Sequence, residues 1–427
     1  MPEARPLNVI VVGAGAVGQV YAYHLLNAGC HVHLMVKEKY VEGISEYPLR
    51  VLRVGWFPPA LFSSFFRRRL HRPEHFAPTT VLSVDGLPDD VTKPLEEQGL
   101  GGPVDFVILT MASDALRGPW LKSLATSLPR SIFLLLQPGP NDLEYLVSSG
   151  VERSRIAKGV IALASYQAPL PGDRYPIWID ESPISASKDV ATVGTTAPRR
   201  NPAIIYFSPF PHPVSPPPNV PKETVDKVEE LCASFRRGGL EVVRVKSRSN
   251  DLVTGTDLEW LDSLLGPILV ALETSHWSFL YLAFNIRSLF LLWRAIREVG
   301  AAERAAEKDR RKGRAALLSL TTISSVVLFI AMSPLVLSPV LLVLYLINAI
   351  GLMFPVDFER LLAYHFAKVG GQTKFLVNEM IERYRKEASK RAKAGGAGDA
   401  VAARRGFKAV AALSELVKMN PRWAGAN

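Results

Sequence analysis

The chain has 427 residues, 48% hydrophobic and 21% charged. That balance excludes a disordered or fibrous chain and allows two domains, each with its own core. The net charge of +10 is uneven: from Gly300 onward 20 Lys/Arg stand against 10 Asp/Glu, leaving 30 against 30 before it. Two cysteines far apart, Cys30 and Cys232, exclude a disulfide framework and fit a reducing compartment. The first residues lead into an apolar strand without a secretory-signal pattern, so a cytoplasmic location is expected.

In chain order, residues 8–12 form an apolar, β-branched run that reads as a strand buried on both faces. Gly13-Ala14-Gly15-Ala16-Val17-Gly18 follows at once. Val17, Val20, Tyr21 and Leu25 then recur at helical spacing, and Ala28-Gly29 closes the helix. Further strands are expected at Val32–Val36, Leu49–Val54, Thr79–Val84, Phe106–Leu109 and Ile132–Leu136. Their alternation with helical stretches predicts an α/β fold, a Rossmann-type doubly wound parallel sheet. Trp56–Pro78, with Arg67-Arg68-Arg69 and His71-Arg72 among aromatics, reads as an insertion loop. Residues 202–221 hold eight prolines and read as an irregular connection. Val225–Arg237 reads as a helix stopped by Gly238-Gly239, with a strand at Leu240–Val245. From Asp257 onward nearly everything reads as helical. The expected organisation is a dinucleotide-binding domain over 1–200, a mainly α-helical domain over 222–393, and a basic linker and tail over 394–427.

The glycines of the first turn have separate jobs. Gly13 permits the tight turn, Gly15 lets the backbone approach a pyrophosphate, and Gly18 allows helix and strand to pack closely. The helix N-terminus adds amides and positive dipole. Gly13, Ala14, Gly15, Ala16, Val17 and Gly18 are therefore the candidate phosphate-binding residues. At the end of the second strand an NAD site usually carries an acid for the ribose hydroxyls. Here Lys37 stands there, beside Glu38. A cation suits a 2′-phosphate, so the expected cofactor is NADP.

These features resemble the ketopantoate reductase (2-dehydropantoate 2-reductase) family. Its GxGAxG turn is matched by Gly13–Gly18 and its basic residue after the second strand by Lys37. Its strand before the nicotinamide-side loop is matched by Asp105–Thr110, and the element preceding its catalytic helix by Val225–Val245. The specific part of the match covers about the first 150 residues. The resemblance implies hydride transfer between NADP and a small carbonyl or hydroxy acid, with the helical domain closing over substrate. It does not supply catalytic residues. Ala112 stands where the family has a lysine, Gln137-Pro138-Gly139 where it has asparagine-glycine, and Trp260-Leu261-Asp262 where it has Trp-x-Lys. The asparagine a turn later falls near Gly266. An Asp cannot protonate an alkoxide at neutral pH unless its pKa is strongly raised, so ketopantoate is expected to be a poor substrate. The alternative is a catalytically degenerate, membrane-associated protein that holds NADP without turnover.

Tyr364, His365, Lys368, Gln372, Lys374 and Glu379 lie in one helical region, with His365, Lys368 and Gln372 sharing a face. They read either as a carbonyl-polarising group or as a solvated helix face. His31 and His33 share a strand face without a third ligand and read as structural rather than as a metal site. Residues 315–356 carry no charged side chain and stand between basic runs at Arg304–Arg314 and Arg383–Lys393. A first segment over 315–332, a break at Ser333-Pro334 and Ser338-Pro339, and a second segment Val340–Phe354 would form a hairpin. Two readings stand: a membrane hairpin facing the cytosol with both basic flanks, or a hairpin buried in the helical domain at a homodimer interface. Basic segments that flank an apolar stretch do not point to nucleic acid. The expected partner is a small-molecule substrate.

Overall fold

The computed structural model describes residues 5–54, 73–85, 103–136, 141–168, 170, 201–208, 210–217, 219–245, 266–310, 333–349, 357–364 and 411–419, together with 374, 377–379, 381–382, 385–386 and 389. The chain divides into two compact units, 1–251 with 354–356 and 252–353 with 357–427.

The first unit is an α/β fold. Its elements are β1 (Asn8–Val12), α1 (Ala16–Asn27), β2 (His31–Val36), α2 (Glu38–Glu46), β3 (Leu49–Arg53), β4 (Glu74–Phe76), β5 (Thr80–Ser83) and β6 (Phe106–Leu109). There follow α3 (Ser113–Leu116), α4 (Trp120–Ser127), β7 (Ile132–Leu136), α5 (Asp142–Ser148), β8 (Ile156–Gly159), β9 (Ala164–Ala168), β10 (Ala203–Phe207), β11 (His212–Ser215), α6 (Lys222–Arg237) and β12 (Val242–Arg244). Eight strands form one sheet in the order β12-β11-β8-β7-β6-β1-β2-β5. All neighbours run parallel except β11 against β8. Every residue of β1, β6 and β7 is buried, as central parallel strands covered on both faces require. After β1 the chain builds outward through β2 and β5, then returns to lay β6 on the other side of β1. The strand order thus reverses between β1 and β6, the place where such sheets open a crevice at their carboxyl edge.

A second sheet, β4-β3-β10-β9, was not expected. Residues 49–53 belong to it, not to the main sheet, and pair in parallel with β10. The proline-rich stretch is also not irregular throughout, since it holds both β10 and β11. Its prolines fall outside the spans of these two strands, except Pro213 at the second position of β11, whose carbonyl still accepts from Val160 N–H at 3.0 Å. Because β12 extends the main sheet beyond β11, α6 and β12 lie in the first unit. That unit therefore runs to Asp251, past the boundaries expected at 200 and 222.

Helix α1 occupies the position on which both sheets depend. Residues 18–25 are all buried, and the helix packs against strands of both sheets and against α6. A helix covered all round has no solvated stripe, so its polar groups need partners inside. Tyr21 Oη bonds His212 Nδ1 at 2.8 Å, and Tyr23 Oη donates to Glu74. His24 Nδ1–H donates to Gly238 O at 2.7 Å, while Nε2 accepts from Tyr206 Oη at 2.9 Å. Gly238 is required there, because a Cβ would lie 1.7 Å from the His24 carbonyl oxygen.

The second unit is helical, with helices over 266–274, Phe279–Phe284, Ile286–Arg310, Pro334–Ala349, 358–364 and Ala411–Lys418. Its core gathers Val270, Trp277, Leu282, Leu292, Ala295 and Leu416. Buried polar groups tie distant segments: Glu359 Oε1 accepts from Phe279 N–H at 2.6 Å, and Asn348 bonds Asp357 and the Phe358 amide. The expected break at Ser338-Pro339 is absent, because the helix starts at Pro334 and runs through Pro339. Pro334 is favoured at a first helical position. Sixteen residues rise about 24 Å, short of a hydrocarbon core of about 30 Å. Among the described residues no helix is long and apolar enough to cross a membrane, so the membrane reading gains no support. The first half of the expected hairpin, 315–332, lies outside the described residues, as does most of Trp56–Pro78.

The buried histidines make stability pH-dependent. Burial holds His24, His33 and His212 down at about 4 against an ordinary 6.5. Between these values the unfolded chain binds protons that the folded chain does not, so stability is full above pH 6.5 and falls as pH drops toward 4. Each histidine contributes on the order of 1–2 kcal/mol of loss by pH 5. Urea denaturation at pH 7 and pH 5 should show this fall, and His33→Gln should flatten it by roughly a third. An unchanged slope in the variant would remove His33 from the account.

Candidate functional site

The carboxyl edge of the main sheet carries the glycine turn. Gly13 has φ +102, a left-handed conformation suited to glycine, and its N–H donates to Met35 O at 2.8 Å. A Cβ there would stand 2.9 Å from Thr110 Oγ1. A Cβ on Gly18 would lie 1.9 Å from the Gly13 carbonyl oxygen, so α1 can start at the strand end only because residue 18 has no side chain. Gly15 differs from both. It caps α1 in extended conformation, is exposed, and a Cβ on it would meet nothing within 4 Å. The space beside it is open, next to helix amides that have no intrahelical acceptor.

The turn is braced from two sides. Thr110, at the end of β6, directs its hydroxyl at Val12 O (2.8 Å) and Gly13 O (3.0 Å). Gln19 on α1 donates through its side chain to Ala14 O at 2.8 Å. The geometry is therefore a braced, solvent-facing backbone turn at the N-terminus of a buried helix, an arrangement chemically suited to an anion.

On the β2 side of the turn, Lys37 is exposed and caps α2. Lys39 lies over the Tyr40 ring at 4.9 Å. Sequence reading missed Asp85, whose Oδ2 accepts from Glu38 N–H at 2.9 Å. Only the parallel pairing of β5 with β2 brings a residue 47 positions away to the start of α2, and no local motif announces it. A cation and a carboxylate thus flank the same helix start.

On the β6 side, Ala112 caps α3 and offers no polar side chain. Ser113, Asp142 and Arg117 form a cluster there. Ser113 Oγ donates to Asp142 Oδ2, and Arg117 Nη1 pairs with Asp142 Oδ1, both at 2.7 Å. Gln137, Pro138 and Gly139 lie outside the described residues, as do Trp260, Leu261, Asp262, His365, Lys368 and Gln372. Gly266, Tyr364, Lys374 and Glu379 belong to the second unit. His33 Nδ1 bonds Thr80 Oγ1 at 2.9 Å, a structural role for that buried ring. Among the described residues no group of three His, Cys, Asp or Glu could hold a metal ion. The buried free thiols Cys30 and Cys232 are both held above their ordinary pKa by burial, Cys232 at about 12.

The glycines make contrasting predictions for the fold. Gly18→Ala forces backbone apart and should lower stability by roughly 1–3 kcal/mol. Gly15→Ala, in open space at ordinary φ, should stay within about 0.5 kcal/mol of the parent. Parallel urea denaturation curves check both; equal effects would contradict the turn geometry.

Comparison with known proteins bears on the same region. Residues 9–169 match the family model of ketopantoate reductase PanE/ApbA. No curated protein matches the chain. Similar solved structures include a 2-dehydropantoate 2-reductase from Methylococcus capsulatus, at 14% identity and TM-score 0.48, covering 99% of this chain and 100% of that one. The same enzyme from Geobacter metallireducens matches at 16% identity and TM-score 0.46, covering 84% and 99%. A D-mandelate dehydrogenase solved with NADH matches at 13% identity and TM-score 0.45, covering 88% and 98%. Residues 9–169 are thus similar to the ketopantoate reductase PanE/ApbA family over the region that carries the glycine turn.

Proposed function

We propose that the protein is an NADP-dependent oxidoreductase that transfers hydride to or from a small carbonyl or hydroxy acid. The observation that carries the reading is the open face of Gly15, held between the Gly13–Gly18 backbone contact and the Thr110 brace. A pyrophosphate fits there because a backbone without side chain lets it reach the amides of Ala16 and Val17 at the helix start. The adenosine half would then extend toward β2 and Lys37, and the nicotinamide half toward β6 and β7, across the strand-order reversal. Bound nicotinamide supplies the hydride; the protein has to bind it, orient it and polarise the substrate carbonyl.

Lys37 supports NADP, since its ammonium at the start of α2 would meet a 2′-phosphate with the helix dipole behind it. Asp85 supports a second reading. Its carboxylate on the Glu38 amide repels a phosphate and suits ribose hydroxyls, which favours NAD. Titration of NADPH and NADH by nicotinamide fluorescence separates them. Tighter NADPH binding is expected, with Lys37→Ala removing the preference and Asp85→Asn enlarging it about tenfold or less. Tighter NADH binding in the parent would overturn the NADP assignment. Gly15→Ala should weaken either dinucleotide by about tenfold or more while leaving the fold intact.

The substrate is proposed as a 2-oxo or 2-hydroxy acid other than ketopantoate, because Ala112 stands at the family's lysine position. NADPH oxidation with ketopantoate should be slow. Turnover in the ordinary enzyme range, on the order of 1–10³ per second, would show that other groups replace that lysine. No NADPH oxidation with any 2-oxo acid, despite tight binding, would favour a protein that holds cofactor without turnover.

A further inference from the structure

We propose that Gln19 and Thr110 are positioning residues for the pyrophosphate, pinning two successive carbonyls of the glycine turn so that the amides of Ala14 and Gly15 face the ligand. The proposal rests on the cofactor reading above. A trans peptide is planar, so its C=O and N–H point in opposite directions. Whatever fixes a carbonyl therefore aims the amide that follows it. Gln19, in the first turn of α1, donates through Nε2 to Ala14 O at 2.8 Å. That bond directs the Gly15 N–H away from the buried Gln19 amide. Thr110 Oγ1 shares its proton between Val12 O at 2.8 Å and Gly13 O at 3.0 Å. That bond directs the Ala14 N–H away from the Thr110 hydroxyl. Among the described residues neither N–H has an acceptor.

Filling space does not account for either side chain. Gln19 is 7% exposed, and its Oε1 has no hydrogen-bond partner among the described residues. Burying an unmet acceptor costs stability that an apolar side chain of the same length would keep, so what the amide contributes is its donor. The Thr110 hydroxyl sits in room that two glycines vacate: a Cβ on Gly13 or Gly18 would lie 2.9 or 2.7 Å from its oxygen. Two of the three glycines thus make space for the protein's own brace, and Gly15 leaves space for a ligand. An unbraced peptide is free to rotate and turn its carbonyl toward the phosphates, where oxygen meets oxygen. A turn whose amides are already aimed binds an anion without first reordering.

The test uses the full chain and its Gln19→Met, Thr110→Val and Thr110→Ser variants. NADPH and NADH are titrated by nicotinamide fluorescence and ADP by calorimetry, while urea denaturation without ligand reports on the fold. Gln19→Met, similar in size but without the donor, should weaken all three ligands by a common factor of about tenfold, because all three carry a diphosphate. The ratio of NADPH to NADH affinity should stay that of the parent. A side chain that only supports the fold would instead lower the urea midpoint and leave the affinities of the folded protein unchanged. Thr110→Val should act in the same direction as Gln19→Met, and Thr110→Ser, which keeps the hydroxyl, should bind within about twofold of the parent. The Thr110 pair decides alone if Gln19→Met does not fold. Unchanged affinities in Gln19→Met and Thr110→Val, a loss that differs between NADPH and NADH, or an equal loss in Thr110→Ser and Thr110→Val overturns the proposal. If the parent chain binds neither dinucleotide nor ADP, the cofactor reading itself fails and the positioning role falls with it; a parent that binds them, with variants that bind equally well, fails the positioning role alone.

Discussion

The close approach of Gly18 to the Gly13 carbonyl is the contact from which the rest of the first unit follows. It lets a helix start where the strand ends, and the helix it starts is buried on all sides. Because α1 packs against both sheets and α6, its N-terminus cannot drift. One histidine and two tyrosines of α1 find partners in place of solvent, bonding to β10, β11, β4 and the end of α6. A fixed helix start with an uncovered glycine beside it is the property an anion site needs, and here the whole unit secures it.

The same burial explains why the site is built from backbone. Around the turn, Thr110 and Gln19 spend their hydrogen bonds on carbonyl oxygens, which leaves the helix amides for a ligand. Among the described residues, side chains enter at the two ends: Lys37 and Asp85 on one side, the Ser113, Asp142 and Arg117 cluster on the other. That division matches a ligand with a charged middle and two distinct ends.

How much of this the sequence reveals depends on the range of the interactions. The β1–turn–α1 unit is local, so residues 8–27 are legible from apolar run, glycine spacing and helical periodicity together. Strands Phe106–Leu109 and Ile132–Leu136 are legible because central parallel strands are continuously apolar. The second sheet is not legible, because residues 49–53 look alike whether they pair with β2 or with β10. Prolines flanking β10 and β11 hide both strands, since composition does not tell a proline beside a strand from one within it. Asp85 and Asp142 stay hidden for the same reason as the second sheet: their partners are 47 and 29 positions away. In the second unit Pro339 reads as a break but is carried within a helix, where packing against Phe279–Phe284 and the Ser338 Oγ bond to Ala283 O outweigh propensity.

The central claim is that a nicotinamide dinucleotide lies across the carboxyl edge of the main sheet with its pyrophosphate at Gly15. A crystal structure of the full chain grown with NADPH tests it most directly. The account predicts pyrophosphate oxygens about 3 Å from the amides of Ala16 and Val17, adenosine toward Lys37 and nicotinamide toward Ser113. Dinucleotide bound elsewhere, or a glycine turn left empty at saturating NADPH, would contradict it.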